Sequence, residues 1–442
     1  MQIKLSDHFT YKRLFRFVIS PIIMMIFTSI YSIVDGFFVS NFCGLNAFTA
    51  VNLIFPVLMI CSAIGFMIGS GGSALVSKTM GEGKGELAKQ YFSMLTYAII
   101  IIGVTLAILG FSLSSYIATW LGAEGEVHYY AKLYGQIMFL SLPAFMMQNF
   151  FQSFFITAEK PKLGLFVSLG AGFMNIVLDA LLVGVFNCGL VGAGVATAVS
   201  QLVGGVLPLI YFISKNSSAL RIVKTKVYAK QFFIAVTNGA SEFLTNVSMS
   251  VVSIVYNFKL LNALGERGVS AYGFIMYVSF FFVSIFIGYS MGVASPVGYN
   301  YGANNKKELK NLFSKSVKIV LIVGITMFIL AESLAVPISK LFLGYDEELL
   351  NISIEAFRLY SFQFIVVGLN IFGSAFFTAL NNGVISGVLS TLRTLVFAIL
   401  TVMLLPIWFN VLGIWIANPV AEALSFIVTI VILAVYRKKY GY

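Results

Sequence analysis

GSALVSKTMGEGKGELAKQYFS, residues 72–93, and ASPVGYNYGANNKKELKNLFS, residues 294–314, decide the fold of this 442-residue chain. Each passes from a run of small residues through a turn into a basic segment that ends in Phe-Ser. Gly81 and Gly302 are separated by half the chain, as are Phe92 and Phe313. The same spacing relates Gly44 to Gly265, Thr157 to Thr378, Ala158 to Ala379 and Gly192 to Gly413. A constant offset through four regions marks a tandem duplication, since isolated short matches would not keep one spacing.

The duplicated unit belongs in a membrane. The chain is 59% hydrophobic and only 10% charged, with a mean hydropathy of +0.95, whereas soluble domains carry about 25% charged residues. No stretch is polar enough to form a separate soluble domain. At about 20 apolar residues per crossing, twelve spans are predicted at 15–40, 47–76, 91–118, 128–155, 163–186, 189–214, 232–259, 269–297, 314–337, 354–379, 384–407 and 412–436. The first run is too long for a signal-peptide core and lacks a small-x-small cleavage site, so it is expected to stay as a span. Six crossings return the chain to its starting side. The expected fold is therefore an all-α polytopic membrane protein of two six-helix lobes, residues 1–214 and 232–442, joined by a linker at 215–231 and related by a pseudo-twofold along the membrane normal.

Charge fixes the expected orientation. Lys and Arg crowd the termini and the even-numbered connections, among them Lys78, Lys84, Lys160, Lys215, Arg221, Lys306 and Arg437; the opposite side has only Lys132, Lys259, Arg267, Lys340 and Arg358. Both termini are thus expected in the cytoplasm, in a multi-pass protein of the inner or plasma membrane. Trp120, Trp408 and Trp415 fall at outer span ends, where an aromatic belt would put them. The net charge of +11 reflects this topological bias and does not imply a nucleic-acid partner. Three cysteines without metal spacing and two distant histidines suggest neither a zinc site nor a disulfide framework. No Gly-rich loop ending in Gly-Lys-Ser/Thr is present for ATP, and nothing suggests an enzyme or a cofactor.

Against this background, Asp35 and Asp179 stand out, each deep in an apolar run with no basic neighbour within a helical turn or two. A carboxylate there costs about 2.5–3.5 kcal/mol on insertion scales, so it marks a working site. Asn175 precedes Asp179 by four residues and shares its helix face; Thr197 of span 6 lies at a similar depth, with Tyr134 of span 4 nearer the surface. Such oxygens suit a hard monovalent cation or a proton, and two carboxylates in one dry pocket need one or the other. Single Asn, Thr or Tyr residues commonly serve as hydrogen-bonded glue between helices, but the repeat separates this set from glue. Half a chain on from Asp35, Asn175, Asp179 and Thr197 stand Tyr256, Val396, Leu400 and Asn418. Packing should be symmetric, and the carboxylates are not.

The second lobe has its own intramembrane charges, Glu242 and Arg393; an ion pair between them is expected because spans 7 and 11 should be neighbours, and a drug-contacting or gating role for Glu242 is the equal alternative. Glu332 and Glu422 lie nearer helix ends or polar neighbours and carry no such reading. Pro21, inside span 1, permits a bend below Asp35.

The order of these motifs resembles bacterial MATE (multidrug and toxic compound extrusion) transporters: "PIIMMIFTSIYSIVDGFFVSNFCGLNAFTAVNLIFP" with Pro21 and Asp35, "GSALVSKTMGEGKGELA", "NIVLDALLV", "VGAGVATAVSQ" and "LGIWIANPVAE". The resemblance runs the length of the chain. It implies export of organic cations by a V-shaped, two-lobed bundle, driven by inward Na⁺ or H⁺. It also implies that Asp35, Asn175, Asp179 and Thr197, with Tyr134 nearby, form the cation site of the first lobe, able to hold Na⁺, and that Pro21 is the bend. The chain departs from the branch that places further acidic residues deep in the second lobe. Small hydrophobic or cationic drug-like molecules are the expected substrates, and a monomer in the bilayer the expected assembly. A flippase of lipid-linked saccharides or other amphiphiles, or an exporter of one metabolite, is the alternative.

Overall fold

The computed structural model describes residues 3–344 and 346–442, and nearly all of them are helical. The first half comprises α1 (Tyr11–Phe42), α2 (Leu45–Gly81), α3 (Gly85–Trp120), α4 (Gly125–Thr157), α5 (Pro161–Leu178), which continues as a π-helical segment Asp179–Val185, and α6 (Gly189–Ile213). The second comprises α7 (Ala229–Gly302), α8 (Lys306–Leu343), α9 (Glu347–Ser361), α10 (Phe364–Ala379), α11 (Gly383–Thr391), a second π segment Leu392–Phe397, and α12 (Ala398–Tyr440). No strand occurs among the described residues.

Two of these helices are hairpins. A straight 74-residue α7 would be about 110 Å long, several times the ~30 Å hydrocarbon thickness. It reverses at Gly265 (φ 64°, ψ −153°), which brings Tyr256 to stack on Tyr272 with ring centroids 4.8 Å apart. α12 reverses at Asn410 (φ 49°, ψ −131°). Residues 229–264 and 266–302 are called legs 7 and 8 below; leg 11 runs from Gly383 to the Asn410 reversal, and leg 12 from there to Tyr440. With α9 and α10 as one leg, the helices are consistent with twelve crossings in two lobes.

The structure adds two features to the sequence reading. The tenth span, expected as one helix over 354–379, starts earlier at Glu347 and bends by 51° between Ser361 and Phe364. Its start is set by Asp346, whose carboxylate caps the N–H groups of Glu348 and Leu349. Trp415 is 4% exposed and belongs to the core, whereas Trp120 and Trp408 project outward.

The duplication is visible in the backbone. Residues with positive φ recur at the half-chain spacing in three places: Gly44 with Gly265, Gly83 with Asn304, and Gly189 with Asn410. Where the lobes cross, contacts come in matched pairs. A Cβ on Gly81 would strike the Tyr299 carbonyl, and one on Gly302 would strike that of Lys78, which is Tyr299's repeat mate. Gly71 meets Ala235 and Gly239 of leg 7, while Gly288 of leg 8 meets Pro21 and Ile22 of α1. Small residues at such crossings let helices approach backbone to backbone. Thr157 and Ser295 hydroxyls join at 2.8 Å across the same seam. These contacts lie in the half of the bundle that carries the termini and most Lys and Arg residues, the basic end.

A strap closes that end. Leu5 and Phe9 are fully buried. The Leu5 N–H donates to Glu159 at 2.8 Å beside the α4–α5 turn, and the Phe9 N–H donates to Glu308 at 2.9 Å on α8. His8 Nδ1 meets the other Glu308 oxygen at 2.6 Å, and Asn311 and Lys315 both donate to the Phe9 carbonyl. Residues 5–9 thus tie one half of the chain to the other. The connection after α6 is similarly pinned: Val223 N–H donates to Ser93, and Thr225 donates to the Gln90 carbonyl.

Candidate functional site

α1, α4, α5 and α6 bring the sequence-predicted set together. Asp35 lies seven residues before the end of α1, about 10 Å along the helix. Thr197 Oγ donates to Asp35 Oδ1 at 3.2 Å, and Asn175 Nδ2 donates to Thr197 Oγ at 3.4 Å. Asn175 and Asp179 both lie close enough to Asp35 to act on its carboxylate electrostatically. Tyr134, on α4, lies within Coulombic reach of both. Asp179 is fully buried and Asn175 is 1% exposed, while Asp35 is half-buried.

The donor account of this cluster is incomplete. Asn175 Oδ1 and both oxygens of Asp179 are buried without a hydrogen-bond donor. A buried acceptor left unpaired costs about 1–3 kcal/mol, more when charged. Two neighbouring carboxylates with three idle oxygens call for a positive charge among them, supplied by a shared proton or by a small cation with oxygen ligands. Asp179 also opens the π-helical segment. Such wide turns are frequent at functional sites, because the extra residue per turn redirects side chains that a regular helix would aim elsewhere.

Tyr31 and Gln148 escaped the sequence reading. Tyr31 precedes Asp35 by one helical turn and lies within its field, with Gln148 close by. The signal was available, since i and i+4 share a helix face, but tyrosine is too common in this chain to stand out. In the second lobe the repeat mates are neutral. Tyr256, in place of Asp35, is 1% exposed with an unpartnered hydroxyl, and Asn418, in place of Thr197, donates to Gln363 at 2.5 Å.

The expected Glu242–Arg393 pair is corrected. Arg393 Nε donates to Glu422 Oε1 at 2.8 Å, and Asn370 Nδ2 donates to Glu422 Oε2 at 2.6 Å. The reason is depth. Glu422 lies roughly three helical turns beyond the Asn410 reversal, so leg 12 carries it back along leg 11 to the level of Arg393. Glu422 is 6% exposed, and the sequence reading passed over this buried ion. Pro21 sits in α1 against Gly288 and Gly292 of leg 8, at the crossing of the two halves.

A polytopic bundle of two similar lobes, with charged groups buried between long apolar helices, defines an integral membrane protein, and the family match assigns it to the transporters. The MatE family model matches residues 21–181 and 242–404, and the chain belongs to that family. The two matches begin half a chain apart. Multidrug export protein MepA of Staphylococcus haemolyticus is 27% identical over 317 residues, 71% of this chain and 68% of the relative. Among solved structures, a MATE in complex with MaL6 superposes with a TM-score of 0.92 at 22% identity, over 97% of this chain and 96% of that one. An outward-facing multidrug resistance MATE transporter of the MOP superfamily gives 0.89 at 22% identity, over 96% of each chain.

Proposed function

We propose that this chain exports small hydrophobic or cationic drug-like molecules in exchange for Na⁺ or H⁺ moving inward. The observation that carries the reading is the set of three buried oxygens without donors on Asn175 and Asp179, joined through Thr197 to the carboxylate of Asp35. The relative named as a multidrug export protein supports the substrate class. The basic end is taken as cytoplasmic by its Lys and Arg excess, with both termini there, and residues 1–214 and 232–442 as the moving lobes around the 215–231 linker.

On this reading the tight seam at the basic end corresponds to a state open to the outside. The ion reaches Asp35 and Asp179 from that side, where Asn175 and Thr197 complete its shell and Tyr134 shields it. Neutralising the pair changes how α1 packs on α5 and α6, with Pro21 as the bend, and lowers affinity for the substrate between the lobes. Coupling requires only that ion and substrate prefer different states. A flippase reading is less favoured: Arg393 is already neutralised by Glu422, which removes the positive lining a pyrophosphate-linked lipid would require.

The test is efflux of ethidium from proteoliposomes under separately imposed Na⁺ and proton gradients. Asp35→Asn and Asp179→Asn should each reduce gradient-driven efflux by about tenfold or more, the effect of losing ~1.4 kcal/mol of ion binding. Efflux unchanged in both variants sinks the proposed site.

A further inference from the structure

Three charged side chains meet inside the second lobe, and they are unequally satisfied. Glu422 has both oxygens engaged, one by Arg393 at 2.8 Å and one by Asn370 at 2.6 Å. Glu242, on leg 7, has no hydrogen bond to its carboxylate among the described residues, although it lies in the field of Arg393. Arg393 stands between them. Its backbone is part of the π segment Leu392–Phe397, which packs against both α7 and α12. In the first lobe the corresponding leg also carries a π segment, and Asp179 opens it. Each lobe therefore places one buried charge on a wide helical turn, negative in the first and positive in the second.

The three groups sum to one negative charge whichever carboxylate Arg393 holds; what changes is where that charge sits. With Arg393 on Glu422, the free charge is on Glu242, which is half-buried, while the sealed Glu422 is neutralised. With Arg393 on Glu242, the free charge would retreat to Glu422 beneath Asn370. A guanidinium side chain is long enough to serve either partner, and it is always charged.

We propose that Arg393 is an exchangeable tethered cation: held by Glu422 it leaves Glu242 open to a cationic substrate, and released it occupies Glu242 and shuts that substrate out. The inference rests on the organic-cation export reading for its substrate and on the three side chains for its geometry.

The purified full chain in lipid nanodiscs tests it with two readouts, binding of tetraphenylphosphonium and labelling of Glu242 by dicyclohexylcarbodiimide, located by mass spectrometry. Glu422→Gln should send Arg393 to Glu242, weakening tetraphenylphosphonium binding by about tenfold, equivalent to ~1.4 kcal/mol, and suppressing the label. Arg393→Gln added to Glu422→Gln should restore both, which a merely stabilising ion pair would not do. Glu422→Asp, which keeps the charge but withdraws it by one methylene, should give an intermediate label if Glu422→Gln fails to fold. Wild-type binding and labelling in folded Glu422→Gln, or in Glu422→Asp where Glu422→Gln does not fold, overturns the proposal. So does failure of the folded double variant to recover. If the wild type binds no tetraphenylphosphonium, the export reading fails on its own, and the labelling of Glu242 still decides the exchange.

Discussion

Among the described residues Thr197 makes the one hydroxyl hydrogen bond to Asp35, so on the proposed reading its removal separates ion binding from folding. Hydrogen bonds to charged groups contribute about 1.5–3 kcal/mol, so Thr197→Val should weaken a bound Na⁺ that uses the hydroxyl as a ligand by about tenfold or more. The expected outcome is a rightward shift in the Na⁺ dependence of ethidium efflux, with maximal efflux retained at saturating ion; a proton, which competes with that hydrogen bond for the carboxylate, should show no rightward shift. At this scale the sequence was most legible where the physical cost was largest. Asp35 and Asp179 declared themselves by the energy of burying a carboxylate, and Asn175 followed from helical spacing. Glu422 did not, although the expected span 412–436 already encloses it: which neighbour its side chain faces is set by how leg 12 packs on α10 and leg 11, and that rotation is not written in hydropathy. Arg393 was recognised as intramembrane but assigned the wrong partner for the same reason.

Among elements, the reversals are the most exposed to substitution. Gly265 and Asn410 both have positive φ with strongly negative ψ, a region that is costly for any residue with a Cβ, at about 1–3 kcal/mol. The repeat mate of Asn410 is Gly189, which also has positive φ. Asn410→Gly should therefore raise the thermal unfolding midpoint in detergent, and Gly265→Ala should lower it, as read by fluorescence-detected gel filtration after heating. The spans themselves were legible from hydropathy, because length and apolarity are what a bilayer selects. The bend after Ser361 and the two π segments were not. They are local changes of helical register, imposed by packing, and the sequences around them remain ordinary apolar helix.

At the scale of the whole molecule, the proposed mechanism has the seam at the basic end open during transport, and Thr157 and Ser295 lie across it at 2.8 Å. In a background with Cys43, Cys61 and Cys188 replaced by serine, the pair Thr157→Cys and Ser295→Cys should form a disulfide that stops efflux and releases it on reduction. The strap should respond to pH. Burial works against the charge of Glu308, but the Phe9 N–H, His8 and Asn311 outweigh it and hold the carboxyl below its usual range. A depressed carboxylate stabilises at pH above its unfolded value, and that contribution is lost as pH falls through the lower folded value. Hydrogen exchange at Phe9, whose N–H donates to Glu308, should accordingly stay slow above the usual carboxylate value and quicken as pH falls from there through the lower folded value. The duplication was legible because a constant offset survives divergence, whereas the strap was not, because its partners lie 154 to 306 residues away.

That separation orders events during synthesis. His8 and Glu308 are 300 residues apart, and Phe9 and Lys315 are 306 apart. At roughly 5–20 residues per second, the strap emerges some 15–60 s before the helix that receives it. It must wait unseated at the membrane surface while the second lobe is made and inserted. Residues near the head of the sequence are thus among the last to settle, and their docking reports that both lobes have been assembled and paired.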